Sequence, residues 1–184
     1  MISNKKAFNI AMVGVLAALI AASAFIRVPL PFMPLTLQVF MVLIAPMIFG
    51  VKISFAAVFL YLVTGLIGFP VFSAGGGPAY VFQPSFGYLI GFLLSTIPCG
   101  LIASRKGGPL GLFFGGFLAL IVLELCGTLG LWLNFNLYQG KAVSFAFVTL
   151  TYALPFYLPD FVKLIIAVLI ACKLKSRLKQ AKLQ

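Results

Sequence analysis

The sequence contains no histidine and only two acidic residues, Glu124 and Asp160. Metal sites in proteins draw mainly on histidine, cysteine and carboxylate ligands, and general acid–base catalysis relies mostly on histidine and carboxylates. The three cysteines, Cys99, Cys126 and Cys172, lie inside apolar stretches at spacings that fit no metal site. We therefore expect no metal, no cofactor and no catalytic residue, and we interpret the chain as something other than an enzyme.

Charge is scarce in general, because charged residues make up 8% of the chain, whereas a soluble domain carries about a quarter. Apolar residues make up 63%, and the mean hydropathy is +1.20. A chain this apolar cannot cover all of these side chains in its own core, so lipid must cover the rest. The sequence predicts an all-α integral membrane protein that forms a single domain over residues 1–184.

Apolar runs separated by proline, glycine and basic residues predict a bundle of six transmembrane helices. Two connecting segments, residues 27–34 and 68–78, are rich in proline or glycine and are expected to be irregular. The stretch from Val143 to Leu154 is too short to span, so we expect a helical piece at the outer edge, with Pro159 at the first position of the last helix. The predicted spans are about 8–26, 36–50, 53–69, 85–103, 110–136 and 159–178.

The first apolar run has two interpretations. Lys5 and Lys6 precede it and Ala22-Ser23-Ala24 resembles a cleavage site, as in a secretory signal peptide. The run from Phe8 to Ile26, however, is close to the roughly 20 residues that cross a bilayer as a helix. We therefore interpret it as the first transmembrane helix.

The net charge is +11, and the 13 basic residues are unevenly distributed. They lie between apolar spans or at the termini rather than in one stripe, which favours a membrane protein over a nucleic-acid-binding one. Six spans place both termini and ten basic residues on one side, only Arg27 and Lys141 on the other, and Lys163 within the last span. Because basic residues accumulate on the cytoplasmic side, this predicts a multi-pass plasma-membrane protein with cytoplasmic termini and outward-facing irregular segments. The ten residues are Lys5, Lys6, Lys52, Arg105, Lys106, Lys173, Lys175, Arg177, Lys179 and Lys182.

Five polar residues near the outer ends of three helices are candidates for a ligand pocket. Asp160 and Lys163 are three residues apart and share one helix face, although they could also form a purely structural ion pair. Gln38 could bind a ligand or cap its own helix, and Tyr88, one turn from Ser85, could instead belong to an interfacial aromatic belt. A few polar groups among apolar walls are typical of a small-molecule pocket, so we predict one on the outer side.

Glu124 lies in the middle of the fifth predicted span. It is either functional or a protonated group that is hydrogen-bonded for packing, and the sequence leaves both open.

The first helix carries a face of small residues. Gly14, Ala18 and Ala22 repeat every four residues, and Ala17 and Ala21 run alongside them. Small residues at this spacing let a second helix approach closely, either in a partner subunit or within the bundle itself.

Four segments together resemble the BioY family of biotin transporters. They are residues 31–38 (PFMPLTLQ), 68–77 (GFPVFSAGGG), 84–88 (PSFGY) and 155–163 (PFYLPDFVK). Their order and spacing match the family over nearly the whole chain. Three positions depart from the family pattern: Gln83 stands where a small residue is expected, and Phe86 and Pro159 stand where glycine is usual.

The resemblance implies the substrate-binding S component of an energy-coupling factor (ECF) transporter, with biotin as substrate. Such components join a transmembrane coupling subunit and two cytoplasmic ATPases, and this chain itself has no G-x-x-x-x-G-K-[ST] motif for ATP. Asp160 would then accept the ureido N–H groups, and Lys163 would offset the carboxylate or hold Asp160. The alternatives are an S component for riboflavin or thiamine, a membrane-embedded enzyme and an assembly subunit. Thiamine fits less well, because it is cationic and would lie beside Lys163.

Overall fold

A computed structural model describes residues 2–30, 33–105 and 108–181 of the chain. Pro31 and Phe32 of the proline-rich segment, and Lys106 and Lys182 of the cytoplasmic basic set, lie outside the described residues. Within the described part, five helices are long and apolar enough to cross a membrane. The prediction of an all-α membrane protein is therefore confirmed at this level, although the number of long helices is five rather than six.

The helices follow one another with short connections, and the described residues also include two very short strands. The elements are α1 (Ile2–Phe25), β1 (Arg27–Val28), β2 (Leu35–Thr36), α2 (Gln38–Leu66), a 3-10 helix (Pro78–Phe82), α3 (Phe86–Arg105), α4 (Pro109–Leu133), a π-helix (Asn134–Tyr138), α5 (Phe145–Val148), a π-helix (Thr149–Ala153) and α6 (Leu154–Ala181).

Helix α2 covers both the second and the third predicted spans, and Gly50 interrupts it. The backbone of Gly50 has φ of 76° and ψ of −179°, which no other residue type adopts easily. The side-chain amide of Gln38 donates to the hydroxyl of Tyr61 over 2.6 Å. In an uninterrupted helix these two residues would lie about 35 Å apart, since each residue adds about 1.5 Å. The chain therefore folds back on itself at Gly50.

The proline-rich and glycine-rich segments meet at one end of the bundle. Strands β1 and β2 form a small antiparallel hairpin, which the sequence did not predict, with Arg27 opposite Thr36. The guanidinium of Arg27 donates to the carbonyl oxygen of Ser73 in the glycine-rich segment. Phe72 and Gly75 pair through backbone hydrogen bonds, which closes that segment into a compact loop. Backbone polar groups of irregular segments in a membrane protein need such partners, because lipid offers none.

The C-terminal helix begins earlier than predicted. Helix α5, the second π-helix and α6 form one helical run, so residues 143–154 do not form a separate piece, and the placement of Pro159 at the first helical position is wrong. Pro159 lies inside α6. A proline removes one backbone donor and clashes with the preceding turn, which irregular hydrogen bonding and neighbouring helices can accommodate in membrane proteins.

Helices α3 and α4 approach each other closely through glycine. A Cβ atom on Gly87 would lie 2.7 Å from the Cα atom of Gly130 and from the carbonyl oxygen of Cys126. Real side chains do not tolerate such contacts, so this pair of glycines sets the distance between the two helices. Gly87 directly precedes Tyr88, so the close approach of α3 to α4 at Gly87 also positions the Tyr88 side chain.

Candidate functional site

The Asp160–Lys163 pair lies inside the protein. The ammonium of Lys163 lies 2.6 Å from Oδ1 of Asp160, and the carboxylate side chain is only 3% exposed. The same ammonium donates to the carbonyl oxygen of Thr36 over 2.6 Å. The pair therefore joins α6 to strand β2, and each charge has a direct partner, as buried charges require.

Gln38 reaches into the protein rather than capping its own helix. Its side chain is buried, and both of its hydrogen bonds go to hydroxyl groups rather than to backbone amides of α2. Its amide nitrogen donates to Tyr61, and its amide oxygen accepts from the Thr36 hydroxyl over 3.3 Å. Gln38 is thus a fixed polar group beside the ion pair, and the interpretation as a local cap is wrong.

Hydroxyl groups form a chain on the opposite wall. The Tyr80 hydroxyl lies 3.4 Å from that of Ser73 and 3.2 Å from that of Ser85. Tyr88 is 8% exposed, which excludes the alternative of an interfacial belt residue. Its hydroxyl is buried and has no hydrogen-bond partner among the described residues.

All five predicted pocket residues line one cavity of about 40 Å³. The structure adds Thr36, Ser73 and Tyr80 to the polar lining, which the sequence analysis missed. The remaining walls are mostly apolar, and they include Met33, Val39, Leu89, Phe92 and Phe156. Tyr80 lies inside the 3-10 helix, which was not predicted, so no pattern in the sequence indicated its place in the pocket.

The chemistry of this lining suits a small molecule with both apolar and hydrogen-bonding parts. It offers one carboxylate, one ammonium, one amide and several hydroxyls against aromatic and aliphatic walls. The described residues contain no cluster of three or more histidine, cysteine or acidic side chains that could hold a metal ion.

The small-residue face of α1 divides between the core and the surface. Ala17 is buried and Ala21 half-buried, whereas Gly14, Ala18 and Ala22 are exposed. Gly14, Ala17, Ala18 and Ala21 line a groove of about 250 Å³, whose other wall is formed by Leu60, Tyr61, Thr64 and Val71. Ala17 accordingly serves packing within the bundle, while the exposed members leave a surface that a second helix could approach closely.

These features define the class of the protein. It is a multi-pass membrane protein in which helices enclose a buried polar pocket near the junction of two irregular segments. A sequence model of the BioY family matches residues 1–180, and the chain belongs to the BioY family. This confirms the resemblance found in the four sequence segments.

Relatives with assigned names support the same family. The chain is 33% identical to "Probable biotin transporter BioY" of Lysinibacillus sphaericus, over 99% of this chain and 94% of that protein. It is 37% identical to "Biotin transporter BioY" of Thermotoga maritima, over 89% and 93% of the two chains. Both relatives are named as transporters rather than enzymes, which agrees with the prediction from the sequence.

A solved structure shows the same fold. The S-component for biotin from an ECF-type ABC transporter superposes with a TM-score of 0.83, over 96% of this chain and 95% of that chain. The sequence identity is 24%. This chain therefore shares the fold of that protein.

Proposed function

We propose that this chain binds biotin and takes it up across the membrane as the S component of an ECF-type ABC transporter. The observation that carries the proposal is the convergence of five polar side chains on one buried pocket. They are Gln38 of α2, Ser85 in the turn before α3, Tyr88 of α3, and Asp160 and Lys163 of α6. The family and the names of its characterised relatives point to the same substrate.

The pocket matches the chemistry of biotin. The ureido ring offers two N–H donors and a carbonyl acceptor, its thiophane ring and valerate chain are apolar, and the chain ends in a carboxylate. In this proposal Asp160 accepts from the ureido N–H groups, because a carboxylate has acceptor capacity beyond its bond to Lys163. Gln38, Ser85 and Tyr88 bind the remaining polar atoms, and Phe92 and Phe156 cover the rings.

Binding requires the pocket to widen. Its volume of about 40 Å³ is well below the roughly 300 Å³ at which small-molecule sites begin. The lining comes partly from the hairpin and the glycine-rich segment, which the Arg27–Ser73 hydrogen bond joins. In this proposal these two segments separate to admit the substrate, since they form the wall that lies outside the long helices.

Energy for uptake comes from partner subunits. The proposal assigns the chain a transmembrane coupling subunit and two cytoplasmic ATPases, because the chain has no ATP-binding motif of its own. The exposed residues Gly14, Ala18 and Ala22, together with the groove beside them, form the contact with the coupling subunit.

The proposal also includes six membrane crossings with both termini in the cytoplasm. The reversal of the chain at Gly50 divides α2 into two crossings, and the ten basic residues identified above then share the cytoplasmic side with the termini. The pocket opens toward the outside in this arrangement.

Binding to the purified chain tests the proposed substrate. Radiolabelled biotin should bind saturably to the detergent-purified protein without any partner subunit, and unlabelled biotin should displace it. An excess of riboflavin or thiamine should not displace the label, because neither carries a cyclic urea with two N–H donors. Absence of saturable biotin binding by well-folded protein, or displacement by another vitamin, would contradict the proposal.

Thiol labelling tests the orientation. After replacement of the three native cysteines, cysteine at Ala74 or Ala142 should react with an impermeant thiol reagent added to intact cells, whereas cysteine at Ser104 should react only after the membrane is opened. All three positions are exposed in the structure, so accessibility within the protein does not limit the reaction. The reverse pattern would overturn the assigned orientation.

A further inference from the structure

Glu124 is a buried acidic side chain that has no role in the proposed binding of biotin. It lies on α4 and is 7% exposed. Neither of its carboxyl oxygens receives a hydrogen bond from a donor in the described residues. The hydroxyls of Tyr88 and Thr128 are buried and unpartnered as well, so four of the five such polar atoms in the described chain belong to these three residues.

The surroundings of Glu124 contain one cation and one other acid. Glu124 shares a groove with Tyr157 and Phe161 of α6, which lie three residues before and one residue after Asp160, so the two acids lie close enough to interact. Lys163 is bound to Asp160. From α3, the phenol of Tyr88 lies nearby, and Tyr157 of α6 shares an apolar groove with Glu124. That groove has a volume of about 300 Å³, and its other residues are Phe117, Leu120, Ile121, Leu125 and Phe161.

The charges of this group do not balance if both acids are ionised. Two carboxylates beside one ammonium would leave a net negative charge in an apolar part of the membrane, which is strongly unfavourable. A single proton shared between two neighbouring carboxyls removes that charge and supplies the donor that their oxygens lack. Asp160 is the better anion, because it already accepts from the ammonium of Lys163 over 2.6 Å. The proton therefore belongs on Glu124.

We infer that Glu124 is a positioning residue for the substrate site: as a neutral acid it donates a hydrogen bond to Asp160 and, together with Lys163, holds that carboxylate in place. This inference deepens the proposed function and rests on it. Asp160 retains acceptor capacity after these two bonds, since a carboxylate offers about four lone-pair sites. The remaining lone pairs can accept hydrogen bonds from a ligand in the pocket that Asp160 lines.

Two substitutions of similar size separate the donor role from a packing role. Glu124→Gln keeps a donor at this place and should bind biotin within about threefold of the parent chain. Glu124→Leu removes the donor and should weaken binding about tenfold, the effect expected from one lost hydrogen bond to a charged group. Ile121→Leu changes the packing of the same groove without touching Asp160 and should bind like the parent.

The dependence of biotin affinity on pH separates the two roles, because a Glu124 side chain that only packs would not affect it. As pH rises, the parent chain should lose affinity once the proton leaves Glu124, whereas Glu124→Gln should keep its affinity to higher pH. The other titratable groups around Glu124 and Asp160 are Lys163, Tyr88 and Tyr157, and all three are present in both chains. The difference between the two profiles therefore isolates Glu124, and identical profiles would overturn the inference.

Infrared spectroscopy without biotin tests the proton itself. The parent chain at neutral pH should show the carbonyl stretching band of a buried protonated carboxylic acid, and Glu124→Gln should lack it. Absence of the band from the parent, or equal biotin affinity in Glu124→Leu and the parent, would refute the role given to Glu124. Failure of the parent to bind biotin would refute the proposed function, and the infrared band would still decide the protonation of Glu124.

Discussion

Replacing Asp160 by asparagine should lower the affinity of the purified chain for biotin at least about tenfold. The variant keeps the size of the side chain but removes the charge and part of the acceptor capacity. In the proposed complex this weakens two charge-assisted hydrogen bonds, each worth about 1.5–3 kcal/mol, and about 1.4 kcal/mol corresponds to one factor of ten. Equilibrium binding of labelled biotin, with thermal unfolding as the check on folding, measures the effect.

The partner of Asp160 allows the ligand role to be separated from a structural one. Lys163→Met should also weaken binding, because it leaves the buried Asp160 without its cation and the Thr36 carbonyl without its donor. If the pair binds the ligand, the double variant Asp160→Asn, Lys163→Met should remain a poor binder. If the pair is only structural, removing both charges should restore both folding and affinity. A well-folded double variant with parental biotin affinity would disprove the assignment of this site.

Replacing Ala18 by tryptophan should abolish most energised uptake while leaving biotin binding to the isolated chain unchanged. Ala18 is exposed on α1 and lines the groove between α1 and α2, so a large side chain there would hold a partner helix away. Forced overpacking costs about 1–3 kcal/mol, which corresponds to a loss of subunit association of about 5- to 150-fold. Uptake in cells that contain the coupling subunit and the ATPases, measured beside binding to purified protein, gives both quantities.

A matched substitution on another face controls for the added bulk. Leu169 on α6 is 65% exposed, so tryptophan at this position should face lipid and leave uptake intact. Ala17, which is buried, should behave differently from Ala18, because bulk at Ala17 disturbs the bundle itself. If Ala18→Trp loses binding and uptake together, the exposed face serves internal packing, and the proposed contact with the coupling subunit is wrong.

The sequence predicted the helices well where apolar runs were long and clearly terminated. Helix α3 ends at Arg105 and α4 begins at Pro109, close to the predicted limits, because the basic and glycine-rich residues between them cannot lie in lipid. The prediction failed around Pro159, where the helix continues through two prolines from Leu154. Local rules assign proline to a helix start, whereas neighbouring helices decide whether an interrupted turn is tolerated.

The pocket was predictable where ionisable and amide groups were rare enough to be conspicuous. Asp160 and Lys163 form an acid–base pair within a predicted span, Gln38 lies at the start of another, and the structure brings all three to one cavity. Tyr80 and Ser73 were missed because hydroxyl residues occur throughout the chain and carry no positional signal. Their place in the pocket depends on how the glycine-rich segment closes over the helix ends.

Composition alone determined that this protein lies in a membrane, that it carries almost no acid–base chemistry and that one ion pair stands out in it. These conclusions need no contacts, because the cost of placing a charge in lipid applies whatever the fold. Only the tertiary structure decided that α2 reverses at Gly50, that Lys163 also binds the Thr36 carbonyl and that Glu124 lies beside Tyr157 and Phe161 of α6. Each of these joins residues that are distant in the chain or on different helices. The packing of whole helices sets such distances, and no local pattern of residues encodes them.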